Sequence, residues 1–425
     1  MSVFCRRNIT TANLGGGRVE ILYVTQSQPK STGNGGHHRA YQILHDCMAA
    51  VGNENITVFS LAKRSMSEGS YGQSPKHQGR VLNGPQNREW VTKLRIGARM
   101  LWRNPLKPAG SLYFSPVRFG NPDVLRAYRN HVESSNTPKI CLVEHAGMDD
   151  FVEFNRTRGV PTVALPQNLE SLHEGRYRFQ RPLSVACRLV DFGQELAVLK
   201  RCEARMCISQ IETAILDVLV GDSTFYPYRP VGEIKSKFQG IWNRRRKLRG
   251  HLDRDRPFLL MLGSAAHAPT GEGMRWVLKH IQDGGARFPA DLVVVGSGTD
   301  LLSQEYRLPS TVSVRGWVSE EDLEDLLVRT RAVLLPSFTG LGALTRVAEL
   351  RTAGIPAIAS RHSTYAVDRL GKVWRVSRRW EEWLDAALAA VCEPQTAPEE
   401  TPADDEPGGD QILASELRRL HPSSW

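Results

Sequence analysis

The strongest constraint on this chain is the alternation in its second half. Six short apolar stretches, FLLMLG, DLVVVGSG, TVSVRGWV, AVLLPS, PAIAS and KVWRVS, are each separated by a helix-patterned segment or a turn. Strands that alternate with helices pair in parallel, because a parallel pair needs a long crossover and the helix supplies it. Several of these strands end in glycine (Gly263, Gly296, Gly298, Gly316, Gly340), as expected where backbone must approach a ligand closely. The first half repeats the pattern more loosely. RVEILYVT, NITVFSL, SLYFSPV, KICLVEH and PTVALPQN read as strands. The helix after the first carries Ala40, Ile43, Leu44, Cys47, Met48 and Val51 at helical spacing. A long helix is expected from about Phe192 into ARMCISQ. Two series predict an α/β protein with two doubly wound sheets.

With 425 residues the chain has room for two or three domains. Residues 1–17 read as a flexible leader and 18–228 as the first domain. Residues 229–256, with ten Lys or Arg against three acids, read as a basic interdomain connection. The second domain is 257–392, and 393–425 is an acidic, Pro-rich tail expected to be disordered apart from a short helix at QILASELRRL. No apolar run is long enough to span a bilayer and no signal-peptide core is present, which predicts a cytoplasmic protein. The seven cysteines form no CxxC pair, so reduced, packed thiols are expected. Asp253-Arg254-Asp255 follows RRRKLRGHL rather than a hydrophobic strand and is not read as a metal site. Residues 87–103 pattern as a helix with Trp90, Leu94 and Trp102 on one face and Arg88, Arg95, Arg99 and Arg103 on the other. It either packs into its own domain or lies on an anionic membrane.

Pro336 to Ser360 reads as strand, Gly-rich turn, helix, Gly stop, strand. Gly340 and Gly342 leave the amides of the next helix open to negative charge. Arg346 and Glu349, three residues apart, share a helical face where a cation and a carboxylate could take a phosphate and a pair of ribose hydroxyls. An ordinary ion pair in a buried βαβ unit is the alternative. In the first half, Gly33, Gly35, Gly36, His37, His38 and Arg39 fall at the carboxyl end of the first strand, where open parallel sheets bind ligands. For the paired histidines, substrate contact or helix capping is preferred to metal binding. Glu144-His145 and Gln167-Asn168 with Glu170 also follow strand ends.

With these pieces in order, the chain resembles the family-4-type (group 1) glycosyltransferases of the GT-B fold. The segments carrying the resemblance are FLLMLGSAAHAPTGEGMRWVL, LVVVGSG, VSVRGWVSEEDLEDLLVRTRAVLLPS and GLGALTRVAELRTAGIPAIAS, and, more loosely, GNGGHHRAYQIL, PTVALPQNLES and ELAVLKRCEARMCISQIE. The resemblance implies two Rossmann-like domains facing across a cleft. Glu349 would hold the donor ribose. Gly340, Leu341 and Gly342 would form the loop meeting the donor sugar and diphosphate, and Arg346 would stand at the diphosphate. Gly316, Trp317 and Val318 would form the loop that reads the base, Gly263 and Ser264 the first phosphate-side turn, and Gly35, Gly36 and Arg39 the N-terminal loop closing over the donor. Leu341 occupies the slot where many members carry a second glutamate, and SAAHAPT replaces a common Arg and Lys.

The implied activity is sugar transfer from a nucleotide-diphosphate sugar to a glycan or lipid-linked acceptor. It is expected to be metal-independent and retaining, with the nucleotide-sugar as co-substrate rather than a cofactor and with His145 a candidate acceptor base. Peripheral contact with an anionic membrane fits the basic segments. Nucleic acid is not expected as a partner, since no recognisable module accompanies them. The competing readings are a catalytically inactive binding protein of the same fold and a nucleotide-sugar epimerase.

Overall fold

The computed structural model describes residues 19–61, 80–82, 122–172, 184–252, 256–284, 288–339, 344–365, 371–393 and 409–421. The leader, the basic helix expected at 87–103, the strand SLYFSPV, Asp253 to Asp255, the loop residues Gly340, Leu341 and Gly342, and the Pro-rich part of the tail lie outside the described residues. The strands are β1 (Glu20–Thr25), β2 (Ile56–Ser60), β3 (Arg80–Leu82), β4 (Lys139–Val143), β5 (Thr162–Ala164), β6 (Ala204–Cys207), β7 (Ser223–Phe225), β8 (Phe258–Leu262), β9 (Asp291–Val295), β10 (Val312–Val314), β11 (Ala332–Leu335), β12 (Ala357–Ser360) and β13 (Val373–Val376). They form two sheets, seven strands in the order β3-β2-β1-β4-β5-β6-β7 and six in the order β10-β9-β8-β11-β12-β13. All the pairings are parallel.

Both sheets reverse their winding once, between β1 and β4 and between β8 and β11. Ligands of open parallel sheets bind at the carboxyl ends of the strands on either side of such a reversal. The central strands are apolar throughout because helices cover both faces. Ile21, Leu22, Tyr23 and Val24 of β1 and Leu259, Leu260 and Met261 of β8 are at most 1% exposed.

The helices are α1 (Gly35–Val51), α2 (Pro122–Glu133), α3 (Asp149–Arg158), α4 (Ser184–Leu199), α5 (Gln210–Val220), α6 (Gly232–Leu252), α7 (Ala268–Gly284), α8 (Leu302–Glu305), α9 (Glu320–Arg329), α10 (Thr345–Thr352), α11 (Trp380–Cys392) and α12 (Gly409–Leu420). Two depart from expectation. The long helix expected into ARMCISQ stops at Leu199, and ARMC is the buried strand β6. Its charge misleads: Arg205 is hidden and donates to the carbonyls of Leu199, Cys202 and Asp222 at 3.2, 2.8 and 3.1 Å.

The basic connection is not a linker but largely α6, a helix of the second domain. Ile234, Phe238 and Ile241 enter that domain's core beside Leu260 and Val293. Arg245 donates to the carbonyls of Leu327, Val328 and Thr330 at 2.8, 2.8 and 2.9 Å, satisfying the last turn of α9. The short helix expected in the tail at QILASELRRL is α12. Leu413 and Leu417 are fully buried in the first domain's core beside Ile43 and Tyr226, and Asp410 shares Arg229 with Asp46. No described helix is long and apolar enough to cross a membrane.

Candidate functional site

The second sheet's edge is built for close approach. Gly263, directly after β8, has φ +148° and Gly316, after β10, φ +69°, both favouring glycine. Gly316 accepts from Gly296 N–H at 2.7 Å, which ties the Gly316 to Val318 loop to the end of β9. Within that loop Val318 packs on the core, while Trp317 stands 76% exposed. After β11, Phe338 packs edge-on against Trp276, their ring centroids 4.9 Å apart, and so fixes where the loop toward Gly340 leaves the sheet. Ser264 opens the turn into α7, its carbonyl accepting from His267 N–H.

Helix α10 starts at this edge. Its N-cap residue is Leu344, which has no side chain able to accept from the first amides, so the helix does not neutralise its own positive end. Arg346, in the first turn, reaches back to donate Nη1–H to the Leu262 carbonyl at 2.6 Å. That puts its guanidinium beside Gly263: a Cβ there would lie 3.4 Å from Nη1. The Gly263 turn and the Arg346 cation thus share one corner. Burial lowers the Arg346 pKa and nearby Glu349 opposes the shift.

Glu349, one turn further, is 5% exposed. Its Oε1 is 2.6 Å from His38 Nδ1 of α1 and accepts from the Tyr228 hydroxyl at 3.1 Å. Burial pushes the Glu349 carboxyl up, but the His38 hydrogen bond and charge, Arg346 and Tyr228 outweigh it, leaving it below the ordinary carboxylate value. An ionised acceptor requires Nδ1 of His38 to carry the proton. The Glu349 carboxylate is therefore held from the first domain and from the crossing chain.

The N-terminus of α1 is different. Asn34 accepts from Gly36 and His37 N–H at 3.0 and 3.2 Å, and the His37 ring accepts in turn from Asn34 N–H. This capping box satisfies the amides that Gly36 and His37 would otherwise present. Helix capping was one of the two preferred readings of the paired histidines; His37 does that, while His38 faces the second domain. Arg39 is a correction. It is 1% exposed, donates to Gln42, Pro227 and Tyr226 and stacks 4.3 Å over the Tyr226 ring. Its guanidinium is committed to holding α1 against the crossing chain and is not offered to a donor.

At the first sheet's edge, Ser27 and Gln167 flank Gly36: a Cβ there would lie 3.0 and 3.7 Å from their oxygens. His145, at the end of β4, is 6% exposed. Beside it Glu144 is buried, accepting from Tyr23, from Thr25 Oγ1 at 2.6 Å and from Gln26 N–H at 3.1 Å. Burial pushes its carboxyl up to about 7 against those bonds. Glu195 likewise rises to about 7 and Glu212 to about 8, burial being the main cause in each. Glu195 receives the amides of Glu170 and Ser171, and Glu212 that of Leu169. These carboxyls brace the turn after Gln167-Asn168. Among the described residues no group of three or more His, Cys, Asp or Glu is placed to hold a metal ion.

Sequence reasoning missed His38 as the partner of Glu349 and missed Tyr228 altogether. The histidine pair was visible; its partner lies 311 residues away, a separation no local pattern reports.

No protein-family model matches the chain, and no curated protein matches it in sequence. Solved structures do. Sucrose-phosphate synthase from Thermosynechococcus elongatus superposes with a TM-score of 0.62 at 17% identity, covering 95% of this chain and 98% of that one. The trehalose-phosphate synthase (UDP-forming) of Burkholderia vietnamiensis gives 0.55 at 12%, over 96% and 98%. HepE of Anabaena in complex with UDP-glucose gives 0.54 at 12%, over 95% and 97%. Likeness over nearly the whole of each chain, with two doubly wound parallel sheets, identifies the fold as GT-B, two Rossmann-like domains facing across a cleft.

Proposed function

We propose that this chain is a glycosyltransferase that moves a sugar from a nucleotide-diphosphate sugar to a glycan or lipid-linked acceptor. The observation that carries the reading is the corner at the second sheet's reversal. There the α10 N-terminus has no side-chain cap, Arg346 stands beside Gly263, and Glu349 lies one turn in. Breaking the bond between the sugar's anomeric carbon and the diphosphate leaves negative charge on the diphosphate. Arg346 and the α10 amides oppose that charge without a resident metal. Glu349 receives the ribose hydroxyls, and the Gly316 to Val318 loop meets the base.

The acceptor oxygen attacks from the first domain. His145 is assigned as its base, and Gln167 and Ser27 as acceptor-side groups beside Gly36. Retention of configuration follows from the resemblance alone, as does membership of the family-4-type enzymes. The similar structures support the donor class: HepE is solved with UDP and with UDP-glucose, and the trehalose-phosphate synthase is described as UDP-forming. A cytosolic setting and peripheral contact with an anionic membrane rest on the sequence's basic segments and lack of an apolar span.

The test is a panel of UDP-, GDP- and dTDP-sugars scored for hydrolysis and for a rise in melting temperature. At least one should raise Tm and be slowly hydrolysed. If none does either, the enzyme reading fails. Product analysis without acceptor separates the epimerase, which would return an altered nucleotide-sugar.

A further inference from the structure

Glu349 belongs to the second domain, yet both described hydrogen bonds to its carboxylate come from outside it. His38 Nδ1, in the second turn of α1, stands 2.6 Å from Oε1, and the Tyr228 hydroxyl donates to the same oxygen at 3.1 Å. The two domains are brought this close by further contacts. Tyr41, one turn along α1 from His38, packs among Val231, Ile234 and Phe238 in the second domain's core. The Ser31 hydroxyl donates to Glu233 of α6 at 2.6 Å. At the start of α1, a Cβ on Gly35 would come within 2.6 Å of the Thr345 hydroxyl, where α10 begins. The two helix N-termini therefore meet, and only glycine at position 35 lets them.

We infer that His38 and Tyr228 are positioning residues for the donor nucleotide, holding the Glu349 carboxylate in the orientation its ribose hydroxyls need, so that donor affinity is set across the domain interface. The inference rests on the assignment of Glu349 to the ribose. Two donors on one oxygen leave a carboxylate few orientations, and a carboxylate that is already ordered loses little freedom when a diol arrives. Because Tyr228 sits in the segment where the chain crosses between domains, any rotation of one domain on the other moves both donors together. Closure of the cleft and readiness of the ribose site become one event. A second outcome is chemically open at the same contact: His38 could occupy the place of the ribose, and its removal would then tighten donor binding.

The test measures donor affinity and melting temperature side by side for the whole chain, using the nucleotide-diphosphate sugar that the wild-type protein binds best. In His38→Ala the donor should bind about ten-fold more weakly, KM rising more than kcat falls, with the Tm change too small to account for it. His38→Asn, whose amide nitrogen can stand where Nδ1 does, should recover most of the affinity. Tyr228→Phe keeps the ring's packing and should weaken binding less, on the order of three-fold; it decides the matter if His38→Ala does not fold. Unchanged or tighter binding in the folded His38 variant, or in Tyr228→Phe if that one does not fold, overturns the inference while leaving the wild-type donor reading intact. A wild-type chain that binds no nucleotide-diphosphate sugar overturns both.

Discussion

Two helix N-termini meet at the cleft, and they are built in opposite ways. Helix α1 closes its own first turn with Asn34 and His37, whereas α10 begins at Leu344 with no side-chain acceptor and carries Arg346 two residues on. A capped terminus has spent its amides; an uncapped one with a cation beside it still attracts an anion. The surroundings follow the same division. Buried carboxyls (Glu144, Glu195, Glu212) gather at the first sheet's edge, and neutral or ionised they bring no positive charge to a diphosphate. The second sheet's edge presents glycine turns and Arg346. On the proposed reading the diphosphate belongs with the second domain, and the first domain's Gly35 and Gly36 serve close approach.

Removing the cation should break the contrast most severely. Arg346→Ala should weaken a nucleoside diphosphate by about ten- to a hundred-fold, as for loss of a charge-assisted contact, read by calorimetric titration. Equal binding in that variant would place the diphosphate elsewhere. Giving α10 the cap it lacks comes next: Leu344→Asp supplies an acceptor and a negative charge at the same amides. Diphosphate affinity should fall about ten-fold, while stability holds or rises slightly unless the lost packing of Leu344 dominates. A direct measure of both affinity and Tm separates the two effects.

The same comparison was only half legible in the sequence. The proposed donor side is nearly contiguous. Strand, Gly turn, Arg346, Glu349 and the Gly354 stop fall within 25 residues, so spacing alone put Arg346 and Glu349 on one face. The proposed acceptor side is assembled from distant pieces. Gln167 and Ser27 meet only because β1 and β5 flank β4, and Arg39, which stands beside the glycines in sequence, turns the other way into Tyr226. Short strands such as RVL and STF are too brief to show a period. ARMC hid its strand behind an arginine whose charge is absorbed by backbone carbonyls. The basic run of α6 reads as an interdomain connection because its apolar stripe, Ile234, Phe238 and Ile241, is sparse among seven cations.

The first domain's buried carboxyls make a pH prediction. Their pKa values stand above the ordinary 4.5, at about 7 for Glu144 and Glu195 and about 8 for Glu212. A raised folded-state value means that the neutral form is the one the fold favours. The stabilisation is full below the unfolded value of 4.5 and is lost as pH rises through about 7 and then about 8. Melting temperature should therefore fall from the unfolded value of 4.5 until pH has passed about 8. Glu212→Gln, always neutral, should flatten the upper part of that fall and be the more stable protein at the alkaline end. A wild-type Tm rising across this range would show these carboxyls to be ionised and paired. The smallest effect belongs to the α1 cap. Asn34→Ala should cost about 1 kcal/mol of stability and leave diphosphate affinity within about two-fold, because those amides are not the anion's ligands.

The central claim is that the donor ribose rests on Glu349, and titrating the preferred nucleotide-diphosphate sugar into wild type and Glu349→Ala tests it most directly. Affinity should fall by about ten- to a hundred-fold in a variant that still melts cooperatively. Unaltered affinity, or a collapse of thermal stability with no separate binding defect, would make Glu349 a structural partner of His38 and contradict the account.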